Sequence, residues 1–180
     1  MSEGYFVGIM DTIDIEIAVA AYFNARVNLI VPNISWGMSF GHECDLFVLT
    51  PSGYGYEIEI KISKSDLKAD LAKLHQHRSL KIKKLYFAIP EKLSDCIDFI
   101  PKRAGILIAT EHNGGRIIIE KKRDAVINCN YKFSEVERWN LARLGALRIF
   151  PLKRSLKEAN KNYKSVLNKL HDITSKNGTT

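Results

Sequence analysis

The chain has 180 residues, a length typical of one domain, and its 46% hydrophobic and 26% charged composition is that of an ordinary globular protein. No apolar run approaches the ~18 residues of a membrane span, and the N-terminus lacks the basic-then-apolar order of a secretion signal, so we expect a cytoplasmic protein with no membrane contact. Cys44, Cys96 and Cys129 are odd in number and widely spaced, which argues against a disulfide framework or a paired-cysteine zinc site.

The net charge of +7 is concentrated in two segments of the chain. Residues 61–84 carry a net charge of +6 and residues 151–180 a net charge of +5, which leaves −4 for the remainder. Two basic segments indicate a polyanionic partner, because each phosphate contact releases counterions and adds affinity. Two solvated helix faces would give the same composition, so charge alone does not decide between these interpretations.

The first half of the chain is predicted to contain one helix and three strands. Asp11 or Thr12 can cap a helix that runs to about Arg26. Strands are predicted over 27–35, 43–49 and 56–62, and the turn sequence TPSGYG makes a hairpin of the last two. The inner face of the helix is predicted to consist of Ile13, Ile17, Ala20 and Ala21.

The second half of the chain is predicted to alternate helices and strands before a helical tail. The predicted elements are a helix over 65–79, a strand over 84–89 ended by Pro90, a short helix near 91–99, and strands near 105–110 and 116–121. Ser134 and Glu137 form a capping-box pattern at the start of the tail. We therefore expect a single domain over 1–180, with a core over about 1–125, a helical extension over about 132–172 and a frayed end at 174–180.

The hairpin sets acidic and basic side chains on one face of its strands. If the chain turns about Ser52, Asp45 lies opposite Glu59, and odd-numbered residues of both strands share a face. Facing carboxylates about 5 Å apart repel each other, so the pair needs a cation or a wet surface. A hard divalent ion such as Mg²⁺, for which Mn²⁺ commonly substitutes, takes oxygen ligands of this kind, and Lys61 would project near it. The alternative is a hairpin with one solvated face.

The same residues carry a resemblance to a known family. Asp45 followed by Glu59-Ile60-Lys61 resembles the signature of the PD-(D/E)XK nuclease superfamily, whose fold is restriction-endonuclease-like. The context ECDLFVLTPSGYGYEIEIKIS, with SKSDLKAD, YFAIP and PKRAG after it, is similar to small bacterial and phage members, including a DNA-repair-associated group. The similarity covers roughly residues 43–110, and LARLGALRIF at 141–150 also resembles a C-terminal element of such proteins.

The resemblance implies a role for each matching residue. Asp45 and Glu59 would be metal-binding acids, Lys61 the catalytic lysine, and Glu16 a further acid on the first helix. Cys44 stands where the superfamily name has proline, a position that varies among members. Among the other candidate ligands, the carbonyl of Ile60 would complete the shell, Glu43 shares the face of Asp45, and Glu57 is either a further acid or a partner for Lys61 or another basic side chain.

The helix predicted over 65–79 presents basic side chains that we expect to contact a nucleic-acid backbone. On a helical wheel His75 and His77 lie about 200° apart, so they cannot share a zinc ion. Each is expected in a surface or capping position, and the alternative is that one of them reaches a phosphate or the acid site. Asp70 is placed to pair with Lys73 or His77. The predicted nucleic-acid contacts are Lys64, Lys68, Lys73, His75 and His77.

The patterns predict an α/β protein with a helical C-terminal extension, and the resemblance implies a restriction-endonuclease-like core, in which a mixed central sheet is flanked by helices. The activity that the resemblance implies is Mg²⁺-dependent hydrolysis of DNA phosphodiester bonds in DNA repair or in phage or mobile-element DNA metabolism. The alternatives are a non-catalytic nucleic-acid-binding module that has kept the fold and an RNA-processing nuclease. A homodimer is compatible with the sequence.

Overall fold

The protein was analysed as a computed structural model, which describes residues 10–34, 36–71, 77, 79–112 and 114–177. Three α-helices, one 3-10 helix and six strands are found in these ranges. In chain order they are α1 (Thr12–Tyr22), β1 (Leu29–Ile34), β2 (Cys44–Leu49), β3 (Gly55–Ile60), α2 (Lys64–Leu71), β4 (Ile82–Pro90), the 3-10 helix (Glu91–Phe99), β5 (Gly105–His112), β6 (Arg116–Arg123) and α3 (Glu135–Asn177).

The six strands form one mixed sheet in the order of the chain. β1, β2 and β3 make an antiparallel meander, β3, β4 and β5 run parallel, and β6 returns antiparallel to β5. Parallel neighbours require a crossover between them, and α2 provides the one from β3 to β4. The predicted class is confirmed: an α/β protein with a mixed sheet, flanking helices and a long C-terminal helix.

Apolar side chains cover both faces of the sheet. On the α1 face, Ile58 of β3 and Ala88 of β4 pack with Ile15 and Val19. On the α2 face, Phe87 of β4 packs with Leu67 and with residues of the 3-10 helix. Strands that are buried on both faces normally carry apolar side chains. An acidic side chain on the face of β3 toward α2 is therefore buried.

The prediction for the inner face of α1 is wrong. Asp11 caps the helix as expected, with Asp14 completing a capping box. The buried residues, however, are Ile15, Ala18 and Val19, whereas Ile13 and Ile17 are both 64% exposed. The helix carries apolar residues on more than one side, so its periodicity did not determine which side faces the sheet. The helix also ends at Tyr22, four residues before the predicted end at Arg26.

The helix predicted over 65–79 does not include His77. The structure describes α2 over Lys64–Leu71, and residues 72–76, which include the predicted contacts Lys73 and His75, lie outside the described residues. His77 has a φ of 51°, which is not an α-helical value. The helical-wheel position of His77 was therefore wrong.

The C-terminal helix begins as predicted and ends later. Glu137 accepts from the backbone N–H and the hydroxyl of Ser134, and the Ser134 hydroxyl accepts from the N–H of Glu137. The helix continues to Asn177, so residues 174–177 are helical rather than frayed. The chain divides into two units, Met1–Ala142 with the sheet and Arg143–Thr180 with the rest of α3; the expected single domain stays a prediction. Among the described residues, no helix has the length and apolar character needed to cross a bilayer.

Candidate functional site

The hairpin of β2 and β3 has the register that the sequence predicted. Leu46 pairs with Ile58 and Phe47 with Glu57, which is the symmetry expected for a turn about Ser52. Next to this paired region, Asp45 Oδ2 accepts a hydrogen bond from the backbone N–H of Ile60 at 2.8 Å. The side chain of Asp45 is thereby fixed at the start of β2, beside the end of β3.

Lys61 joins the two predicted metal-binding acids. Its Nζ lies 2.6 Å from Glu59 Oε2 and 3.3 Å from Asp45 Oδ2, and 3.8 Å from Asp70 Oδ1. Asp45, Glu59 and Lys61, the three residues predicted to be catalytic, therefore converge on one place. Asp70 of α2 is the fourth charged residue at this place. The sequence had predicted only an ion pair of Asp70 with Lys73 or His77.

The charged face of β3 is buried. Glu57 is 0%, Glu59 1% and Lys61 8% exposed, because this face of β3 is the one that α2 and His77 cover. The alternative of a solvated hairpin face is therefore wrong. Burying carboxylates is costly unless cations or hydrogen bonds compensate for it, so this strand keeps its charges at an energetic cost.

Burial and neighbouring charges shift the pKa values of the central pair. Burial, together with the nearby Asp45 carboxylate, raises the pKa of Glu59 to about 7, even though Lys61 acts in the opposite direction. Burial alone would lower the pKa of Lys61, but the Glu59 and Asp45 carboxylates outweigh it and hold that pKa above its usual value. Lys61 is consequently an ammonium group at neutral pH, whereas Glu59 is only partly ionised.

Next to Glu59 and Lys61, two histidines and two acids form a chain of hydrogen bonds. Glu57 Oε1 lies 2.6 Å from His42 Nε2 and 2.7 Å from His77 Nδ1, and His77 Nε2 lies 2.9 Å from Asp70 Oδ2. Hydrogen bonds from the two histidines lower the pKa of Glu57 although its burial would raise it. Glu57 is therefore the partner of basic side chains, one of its two predicted roles, and those side chains are His42 and His77.

His77 is a buried cation rather than a surface residue. Burial would lower its pKa, but the hydrogen bonds to Asp70 and Glu57 raise the pKa to about 9. Because both ring nitrogens face carboxylates, both carry protons at neutral pH. The predicted surface position of His77 is wrong, and the residue belongs to the acid cluster and not to a nucleic-acid surface. The predicted pairing of Asp70 with His77 is confirmed, although not through helical spacing.

An open cavity gives access to the cluster. It has a volume of about 290 Å³. The residues that line it include Glu16 of α1, Asp45 of β2, Lys61 directly after β3 and Asp70 of α2. Burial, together with the charge of Asp45, which lines the same cavity, raises the pKa of Glu16. Glu16, Asp45 and Ile60 line this cavity, whereas Glu59 is buried next to it and contacts the lining residue Lys61. Carboxylate and carbonyl oxygens are the donors that a hard divalent cation binds.

The other candidate residues are placed as follows. Glu43 is exposed and lines a different cavity, formed by the loop before β2. Lys64 and Lys68 are exposed on α2, where both ammonium groups lie over the ring of Phe99. Cys44, Cys96 and Cys129 are free thiols.

Within the described ranges, two further groups of side chains have the composition of a metal site. They are His42, Glu57 and His77, and Glu59, Asp70 and His77. In both groups His77 would have to lose a proton to become a ligand, and it already donates to Glu57 and Asp70. The open carboxylate cavity therefore suits a cation better than either buried group.

The stability of the metal-free protein should fall as the pH rises from 6.5 to 9.5. His77 binds its proton more tightly in the folded chain, so its contribution is complete below the ordinary pKa of 6.5 and is lost through about 9. The raised pKa of Glu59 acts in the same direction between 4.5 and about 7. The His77 shift corresponds to a loss of about 3 kcal/mol in the free energy of unfolding.

Urea denaturation in the presence of a chelator at both pH values measures this loss. His77→Gln should show a much weaker pH dependence over the same range. An equally steep dependence in native protein and variant would contradict the assignment to His77.

Comparison with known proteins adds information about the fold. No family model and no curated protein matches the chain. Its structure is similar to that of the SPO1766 protein of unknown function from Silicibacter pomeroyi, with a TM-score of 0.54 and 22% sequence identity over 79% of this chain and 88% of that chain. The likeness is one of fold.

Proposed function

We propose that the protein is a metal-dependent nuclease of the PD-(D/E)XK type that hydrolyses DNA phosphodiester bonds. The observation that carries the proposal is the convergence of Asp45, Glu59 and Lys61 beside an open cavity. The sequence resemblance predicts these three residues as the catalytic set. Asp45, Glu59 and Asp70 lie within 4 Å of the Lys61 ammonium group, and Glu16 lines the same cavity as Asp45 and Asp70. A concentration of carboxylates at an open cavity favours binding of a divalent cation.

In this proposal Asp45, Glu59 and the carbonyl of Ile60 hold Mg²⁺, for which Mn²⁺ substitutes, and Glu16 supports them from α1. The ion would supply Lewis acidity toward the scissile phosphate. Its charge would also favour the ionised form of Glu59, since a nearby positive charge lowers the pKa of a carboxylate.

Lys61 acts as a donor and a positive charge in this proposal. Because its pKa is held above the usual value, the amine is protonated at neutral pH and is not a base. A protonated lysine can orient a water molecule for attack and can balance the charge that develops on the phosphate. Asp70 and Glu59 keep the ammonium group in place from two sides. By resemblance, the products would carry a 5′ phosphate and a 3′ hydroxyl.

The basic segment next to the site supports a nucleic-acid substrate. Lys64 and Lys68 lie on the exposed side of α2, whose other side contributes Asp70 to the site. Lysines placed there can hold a phosphate backbone close to the carboxylates, with an affinity that falls as the salt concentration rises. The cellular role within DNA repair or phage DNA metabolism and the cytoplasmic location are part of the same proposal.

The test is cleavage of plasmid, single-stranded DNA and RNA of the same sequence, with Mg²⁺, with Mn²⁺ and with a chelator. We expect cleavage of DNA that requires the metal ion and is absent from Lys61→Ala purified in the same way. Lys122→Ala, which removes an exposed lysine of β6, serves as the matched control. Binding of DNA without metal-dependent cleavage would favour the non-catalytic module, and preferential cleavage of RNA would favour the RNA-processing enzyme.

A further inference from the structure

The second unit of the chain carries an apolar stripe with the spacing of a coiled coil. Eight residues of α3 follow one another at alternating intervals of three and four positions. They are Ile149, Leu152, Leu156, Ala159, Tyr163, Val166, Leu170 and Ile173. All eight are exposed in the structure, with Leu152 at 66% and Tyr163 at 64%. Pro151 lies near the first end, so the stretch from Leu152 to Ile173 is free of proline.

The stripe is narrow: apart from Phe150 at a b position and Leu167 at an e position, the large apolar residues of 149–173 outside Pro151 lie at the a and d positions. This width points to another helix as its partner. A helix that packs on a domain core needs an apolar face of about three positions in seven, whereas a two-in-seven stripe with a strict seven-residue repeat is typical of a coiled-coil seam. Three heptads or more of such a repeat are the usual requirement for a coiled coil. We propose that residues 149–173 pair with the same helix of a second copy in an antiparallel coiled coil.

Charge distribution is compatible with pairing of two identical helices. The basic residues Arg154, Lys157, Lys161 and Lys164 lie at the outer b and f positions of the repeat. Between 149 and 173, the charged residues next to the seam are Lys153 at an e position and Lys169 at a g position. The seam itself contains no charge, so the net charge of the segment produces only long-range repulsion, which salt screens.

The size of the seam residues favours the antiparallel arrangement. With the two-fold axis at Lys161, Ala159 of one copy faces Tyr163 of the other, so the smallest side chain of the seam meets the largest. Parallel helices would instead stack Ala159 on Ala159 and leave a void there. Parallel pairing would also bring Lys153 next to Arg148 of the second copy, and these like charges repel each other. Antiparallel pairing instead places the neutral residue Leu167 near Lys153 and the neutral residue Ser155 near Lys169.

The interface is large enough for a reversible dimer. A helix of 25 residues is about 37 Å long, and pairing along it would bury on the order of 1,200 Å² in total, at the lower limit of specific interfaces. We therefore expect dissociation in the micromolar range, and tighter association at higher salt because the outer lysines repel each other less.

Sedimentation equilibrium of the full chain at increasing concentrations tests the proposal. We expect the mass to rise from that of one 20.4 kDa chain to that of two. Leu156→Lys combined with Val166→Lys should stay monomeric, whereas Ser165→Lys combined with Asn168→Lys adds the same charge at outer positions and should still dimerise. A native chain that stays monomeric, or a seam variant that dimerises like the control, would overturn the proposal. Near-UV circular dichroism shows whether the seam variant keeps its folded core.

Disulfide crosslinking distinguishes the two orientations. A mixture of Ala159→Cys and Tyr163→Cys chains should give a crosslinked species that neither variant forms alone, with the native chain as the control for its three cysteines. Crosslinking of each variant with itself would show a parallel coil and overturn the antiparallel assignment. Neither experiment involves nuclease activity, so this inference is independent of the proposed function.

Discussion

Asp45→Asn should lower metal-dependent DNA cleavage by roughly 10³-fold, since the positioning of a catalytic metal ion is worth several kcal/mol of transition-state stabilisation. The substitution keeps the shape of the side chain and an oxygen that can accept from the N–H of Ile60. It removes the charge that a cation would require. The measurement is the initial rate of plasmid cleavage at saturating Mg²⁺.

The same substitution should leave the stability of the metal-free protein unchanged or slightly higher. Asp45 raises the pKa of both Glu16 and Glu59, which means that its charge repels theirs. Removing that charge relieves the repulsion, while Lys61 keeps its closer partner Glu59. Loss of activity without loss of stability is the signature of a functional acid.

Asp98→Asn is the matched control, because Asp98 is exposed on the 3-10 helix. It should cleave at the native rate. Full activity of Asp45→Asn would remove Asp45 from the metal site and would leave the proposed mechanism without its first ligand. A loss of activity accompanied by unfolding would point to a structural role instead.

His77→Ala should lower the free energy of unfolding by about 3–5 kcal/mol, the usual effect of removing one member of a buried ion pair. His77 donates to Glu57 and Asp70, which are 0% and 6% exposed. Alanine would leave both carboxylates buried without this cation. The measurement is urea denaturation at pH 6.5 in the presence of a chelator.

His112→Ala, at the exposed end of β5, is the control and should change stability by less than about 0.5 kcal/mol. Adding Glu57→Gln to His77→Ala should recover part of the loss, because a neutral amide is cheaper to bury than a carboxylate. A small effect of His77→Ala, or no recovery in the double variant, would argue against a buried ion-paired chain.

Local patterns were sufficient to predict the hairpin and its acids. The alternation of apolar and charged residues over 56–62 predicted which residues of β3 share a face. The turn at Ser52 predicted the register that places Asp45 across from Glu59. Both follow from the two-residue period of a strand, which does not depend on distant parts of the chain. The convergence of Lys61 on these acids is a direct consequence of the same geometry.

Helices were harder to predict, because a helix can turn more than one side toward a core. α1 has isoleucines on two sides, and only its packing on the sheet selects Ile15 over Ile13 and Ile17. The helical pattern after Lys64 continues in the sequence to Ser79, but His77 has a φ of 51° and is not part of a helix. His77 was consequently placed on a helical surface that does not exist at that position.

The sequence by itself determined the register of the β2–β3 hairpin and the shared face of Asp45, Glu59 and Lys61, because these depend on periods and turns within a few neighbouring positions. Only the tertiary structure decided that Glu57 and Glu59 are buried and that His42, Asp70 and His77 surround them. Those contacts join residues up to 20 positions apart: Glu57 contacts His42, which precedes β2, and His77, which follows α2. Burial in turn sets the charge state of each group. The pKa of a carboxylate or an imidazole depends on its exposure to solvent and on the charges and hydrogen bonds around it in the folded chain.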